Sequence, residues 1–223
     1  MRILFLPLCL FYCFNVKAQS NTDTSLFQKP SGPVSAITFS PLALIQLHDF
    51  TLMAGAEKWI YRRANLTLDA GWIFASNYFG TDESFGACGF IIRPGIKYFI
   101  TPTRRGYLQG QFFYKQVTHH IYDWLQKELL NGVPSYEQLQ EFKFRRKVHG
   151  YHLILGLMLP LKKDRKLFLD WYLGLGVRYK WSSIPREKNS RYPAARQFFV
   201  DNEDEGSTLP SLPFGFRLFF RLP

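Results

Sequence analysis

His119 and His120 are adjacent, so on a continuing strand they point to opposite faces, and the sequence supplies no further ligands at the spacing a metal site needs. They read as loop histidines, and no metal and no cofactor is expected. The run DNEDEG at residues 201–206 gathers carboxylates that could hold calcium, yet it lacks the spacing of a recognised calcium loop and reads as a solvated acidic run. His149 and His152 lie three residues apart, with Ser182 and Ser183 further on. No local pattern assembles a nucleophile, a base and an orienting carboxylate from them, so no catalytic residue is assigned. What does recur is charge alternating with glycine: Asp69 beside Gly71, Arg93 and Lys97 around Gly95, Asp170 and Arg178 around Gly174 and Gly176.

That recurrence belongs to strands. In residues 166–181, KLFLDWYLGLGVRYKW, Leu167, Leu169, Trp171, Leu173, Leu175, Val177 and Tyr179 form one set of alternate residues. Phe168, Asp170, Tyr172, Gly174, Gly176, Arg178 and Lys180 form the other, and a period of two means a β-strand. Eight segments alternate in this way, at 34–47, 51–61, 64–76, 87–100, 106–119, 148–161, 166–180 and 209–222. The links RRA, TPTRR and KKDR are short and basic, whereas NYFGTDESFG, residues 119–147 and residues 182–208 are long. HDF, around Asp49, is read as a further short connection.

Short turns at one rim and long loops at the other are the pattern of a transmembrane barrel. The expected fold is therefore all-β, an eight-stranded antiparallel up-and-down transmembrane β-barrel with short periplasmic turns and long extracellular loops. Its apolar residue set faces lipid, and its charged and glycine set faces a narrow interior. A soluble lipocalin-like ligand-binding barrel is the competing architecture, but it would turn the apolar face inward and leave charges and glycines outside. No mature stretch reaches the roughly 20 apolar residues of a spanning helix.

Composition sets further bounds. Arg2, the apolar ILFLPLCLFYCF and the Val16-Lys17-Ala18 pattern read as a signal peptide over residues 1–18, followed by a periplasmic extension over 19–33 and the barrel over 34–223. Arg2 and Lys17 leave with the signal, which takes the net charge from +11 to +9. Cys9 and Cys13 leave as well, so Cys88 has no partner for an internal disulfide. A basic exported chain has an anionic membrane surface as a more natural neighbour than nucleic acid.

The stretch SPLALIQLHDFTLMAGAEKWI, followed by LTLDAGWIF and RPGIKYFI, resembles the small outer-membrane β-barrel proteins common in Bacteroidetes, of OmpA type. In that family an Asn-Pro-Leu-x-Leu strand precedes a strand with an inward Glu before a basic turn. Ser40 stands here in place of the Asn, Pro41, Leu42 and Leu44 match, and Glu57 takes the place of the Glu. The C-terminal FRLFFRLP resembles a barrel's final strand, though it ends in Leu222-Pro223 rather than an aromatic residue. The resemblance implies the bacterial outer membrane as location, and a fold rather than an activity.

Eight strands leave an interior just wide enough for side chains, which excludes a porin. A non-enzymatic surface anchor, binding protein or accessory subunit of a larger outer-membrane assembly is the expected function, with a lipid A-modifying enzyme as the alternative. Partners are outer-membrane lipid and lipopolysaccharide, and other outer-membrane proteins through the 119–147 and 182–208 loops. Counting up each strand from the short turns puts Glu57, Asp69, Lys97, Asp170 and Arg217 in the lower half, as one pairing network. Arg93, Lys115, Arg178 and Lys180 come out higher, with no inward carboxylate beside them, as an anion vestibule. Trp124, Leu125, Leu129 and Tyr136 recur at helical spacing in the long loop and form the expected partner-docking surface; the competing reading packs them on the barrel mouth or on extended strands.

Overall fold

A computed structural model describes residues 35–41, 43, 49–76, 84–101, 104–130, 133–161, 166–184, 190 and 206–222. The expected signal peptide, the 19–33 extension and the acidic 201–205 run lie outside the described residues. Nine strands are described: β1 Ser35–Phe39, β2 Asp49–Tyr61, β3 Ala64–Ser76, β4 Ser84–Phe99, β5 Gly106–Leu130, β6 Val133–Pro160, β7 Leu167–Ser183, β8 Ser207–Ser211 and β9 Phe214–Arg221.

All pairings are antiparallel, and neighbours in sequence pair from β1 through β7. The ring closes because β9 pairs with β7 on one side and with β1 on the other. The final stave is expected as one strand over 209–222 and is instead two. Leu212 and Pro213 interrupt it, since proline has no N–H to give to a ladder, and the Pro213 carbonyl accepts from Gly174 N at 2.7 Å. The first stave is described as strand only to Phe39. Pro41 ends the ladder there, Ala43 N turns back onto Ser40 O at 3.2 Å, and Ala43 is buried against Met53 and Ile91.

Period two holds with the polar residues inside. Buried side chains include Thr38, Glu57, Asn65, Thr67, Asp69, Lys97, Gln109, Asp170 and Arg217, while Leu66, Leu68, Trp72, Ile96, Leu153, Leu155, Trp171, Leu173 and Leu175 are exposed on the outer face. At the short-turn rim the interior is floored by Phe99, Tyr107, Met158 and Phe219, with Ala36 and Ile154.

The principal correction concerns residues 119–147. Among the described residues no helix forms there; β5 and β6 run on as one ladder from Gly106↔Leu157 to Leu130↔Val133. Alternation explains it: Val117, His119, Ile121 and Leu125 are buried, with Phe142 and Phe144 opposite, and Thr118, His120, Tyr122 and Trp124 lie on the other face. β5 has 25 residues and β6 28, against 13 in β2 and β3. Beyond Ile121, the last β5 residue paired with β4, the hairpin runs on for about 30 Å.

Candidate functional site

The five residues expected as a pairing network meet in the lower lumen, each 4 % exposed or less. Lys97 Nζ bonds Glu57 Oε1 and lies 3.4 Å from Asp170 Oδ2. Arg217 reaches Asp69 Oδ2 at 3.1 Å and Asp170 Oδ2 at 2.9 Å. Neutral groups complete the set: Tyr107 donates to Asp170 at 2.6 Å, Arg217 donates to the Tyr107 hydroxyl at 3.0 Å and to Gln109 at 3.2 Å, and Thr38 donates to Asp69 at 3.1 Å. Three carboxylates thus share two cations. Burial without such partners would cost several kcal/mol per ion.

Tyr107, Thr38 and Asn65, which donates to Glu57 at 3.3 Å, carry no signal in the sequence beyond the inward parity of their strands. The stronger signal is Gly156: a Cβ there would lie 2.1 Å from Tyr107 Cζ, so the glycine opens the space the phenol ring occupies.

Higher up, the structure corrects the expectation for Lys115. Its Nζ bonds Asp49 Oδ2, and Arg146 Nη2 holds both oxygens of the same carboxylate at 2.9 and 2.8 Å. Asp49 reads as part of a turn in HDF, but inward parity extends back from Thr51 to the first residue of β2. Burial would raise its carboxyl, yet Lys115 and Arg146 outweigh this and hold it at about 2, below its ordinary 3.8. Beside it in the hairpin, burial pushes His119 down to about 3, with Arg146 adding like charge.

Lys180 is buried on the lumen side of β7. Arg93 and Arg178 also have lumen parity, and among the described residues no carboxylate lies within 4.0 Å of either guanidinium. On β6, His152 is stacked on Phe113 with ring centroids 4.4 Å apart and has Nε2 3.0 Å from Ser211 Oγ. Ser182 and Ser183 pair in register with Arg146 and Arg145, so the serine that meets a histidine is the unforeseen Ser211. His149 turns outward onto Tyr179.

The expected docking set is split by the strand period. Trp124 is 41 % exposed and Tyr136 49 %, but Leu125 is fully buried with Ile121, Phe142 and Phe144, and Leu129 is half-buried. His120 faces outward within 3.5 Å of Glu141. Among the described residues no cluster of three metal-ligating side chains occurs. Comparisons with protein-family models, curated proteins and solved structures return no match.

Proposed function

We propose that this chain is a β-barrel of the bacterial outer membrane, acting without catalysis as a surface anchor, binding protein or accessory subunit of a larger assembly. One observation carries the reading: a closed ring of strands buries charges in its lumen and presents leucine, isoleucine and aromatic side chains to its surroundings. Water would penalise that exterior, whereas hydrocarbon requires both it and the absence of an open edge. A lipocalin-like barrel needs the opposite arrangement. The apolar belt ends near Phe50 on β2, Phe74 on β3, Tyr114 on β5 and Tyr151 on β6. Above it, His149, Lys147, Arg145 and Lys143 follow on the outward parity of β6, a basic row suited to the phosphates of lipopolysaccharide.

The charge network fills the lower lumen, which supports an anchor or binder over a channel. The extended hairpin is the natural contact arm, with Trp124 opposite Leu139 on its exposed face. A likeness to Bacteroidetes barrels and a signal peptide over 1–18 belong to the same proposal. Expression in a diderm host tests it: the protein should fractionate with the outer membrane, show heat-modifiable gel mobility, and lose the hairpin to protease added to intact cells. Recovery as a folded soluble protein would refute it.

The His152–Ser211 contact favours lipid modification as a second reading. Against it, His152 faces the lumen rather than lipid, and among the described residues no carboxylate orients its other nitrogen. A changed acyl pattern in lipid A mass spectra on expression would establish the enzyme.

A further inference from the structure

We infer that the upper lumen holds a binding site for a phosphate or carboxylate group, built from Arg93, Arg178, His152 and Ser211. The inference rests on the barrel reading above for which solution the lumen mouth meets.

Charge balance is the first support. The lower network commits Glu57, Asp69 and Asp170 to Lys97 and Arg217, and Asp49 is committed to Lys115 and Arg146. Asp69 lies directly across the β3–β4 pairing from Arg93, yet its carboxylate is taken by Arg217, Thr38 and Gln111. Arg93 lies two residues along β4 from Gly95, which is in register through Gln111 with His152, and Arg178 lies two residues along β7 from Gly176, the β7 partner of His152. Both charges act on His152, and that of Arg93 also on Lys115. Among the described residues Arg93 and Arg178 have no carboxylate within 4.0 Å, and such cations persist only where an anion or water compensates them.

The second support is the histidine. His152 is 9 % exposed and pinned three ways: Phe113 stacks on it, Gly176 lies so close that a Cβ would come within 2.5 Å of its ring, and Ser211 engages Nε2. Its Nδ1 is enclosed with no partner among the described residues, as is Nε of Arg93. If the Ser211 hydroxyl donates to Nε2, the neutral ring carries its proton on Nδ1, and that proton is a spare donor. A buried donor left without an acceptor is costly, and an oxyanion would satisfy it together with Arg93. Arg178, although on lumen parity, is exposed, so this level is open to solutes.

The test uses the full mature chain refolded in zwitterionic detergent and titrated calorimetrically with inorganic phosphate, then with a short-chain phosphatidic acid. Binding of phosphate by itself marks a soluble-anion site; binding of the lipid alone marks a headgroup site. Either result supports the inference if Arg178→Gln and His152→Asn each weaken it about tenfold, the effect of one lost charge-assisted or buried hydrogen bond, while Lys143→Gln does not. Heat-modifiable mobility verifies that each variant is folded, and Arg178, being exposed, is the variant least exposed to folding failure. Binding of neither probe, or binding unaffected by Arg178→Gln and His152→Asn, overturns the inference. A membrane-inserted barrel that binds neither probe leaves the proposed location standing; a soluble barrel that binds phosphate through Arg178 defeats the location and keeps the site.

Discussion

Arg217 stands directly opposite Asp170 across the β7–β9 pairing, and its Nη2 lies 2.9 Å from Asp170 Oδ2. The pair bridges two of the strands that close the ring, and Arg217 reaches on to Asp69 of β3 across the lumen. One side chain thereby ties the last stave both to its neighbour and to the far wall.

Replacing Arg217 by Leu leaves Asp69 and Asp170 buried with Lys97 as the one remaining cation of the network. The expected loss is about 3–5 kcal/mol, the usual cost of removing one partner from a buried ion pair. Urea unfolding in lipid or detergent, followed by tryptophan fluorescence, measures it. A loss under about 1 kcal/mol, typical of exposed pairs, would mean water reaches this network.

Glycines on the two faces should respond differently to a methyl group. At Gly55 a Cβ would lie 2.0 Å from Asp69 Oδ1 and 2.5 Å from Thr38 Oγ1, whereas at Gly110 it meets nothing within 4 Å. Gly55→Ala is therefore expected to cost roughly 1–3 kcal/mol by overpacking and by displacing Asp69, and Gly110→Ala close to nothing. Equal unfolding midpoints for the two variants would contradict the packing described around Asp69.

Strand parity made the lower network legible: Asp170 and Arg217 are both assigned inward, and the pairing of their strands sets them opposite each other. Three features escaped it. Ile121, Leu125 and Leu129, spaced by four, fit helical and strand periods at once, and the ladder prevails because residues 133–148 supply a partner strand with matching alternation. Asp49 was hidden by its place in a short polar tripeptide, although parity from Thr51 pointed inward. Ser211 meets His152 through Gly176, which pairs with His152 on one side and with Ser211 on the other. That adjacency depends on the registers of β6 and β8 on β7, which strand parity alone does not set.

Two exposed leucines separate lipid from water. Leu173 is 64 % exposed midway along β7, and Leu130 is 72 % exposed at the tip of the hairpin. In a membrane, Leu173→Arg is expected to cost roughly 2–4 kcal/mol, while Leu130→Arg, above the bilayer, costs close to nothing. Folding yield into lipid vesicles, read by heat-modifiable mobility, gives the comparison. Equal tolerance of both would remove the support for lipid around β7.

The Asp49 carboxylate makes a pH-dependent contribution whose sign is set by its lowered pKa. Folded, it titrates at about 2 because Lys115 and Arg146 stabilise the charged form against burial; unfolded, it titrates near its ordinary 3.8. The unfolded chain therefore binds the proton more readily, and stability from this group is complete above 3.8 and is lost as pH falls through about 2. Asp49→Asn removes that contribution at every pH, so wild type should exceed the variant in unfolding midpoint at pH 6. The gap should narrow between pH 4 and pH 2. Since Arg146 belongs to the extended hairpin and Asp49 to β2, the same titration should loosen the hairpin base, visible as faster amide exchange around Arg146 at pH 2 once the intrinsic pH dependence of exchange is removed. A gap that stays constant from pH 6 to pH 2 would show that the Asp49 ion pairs do not form in the folded protein.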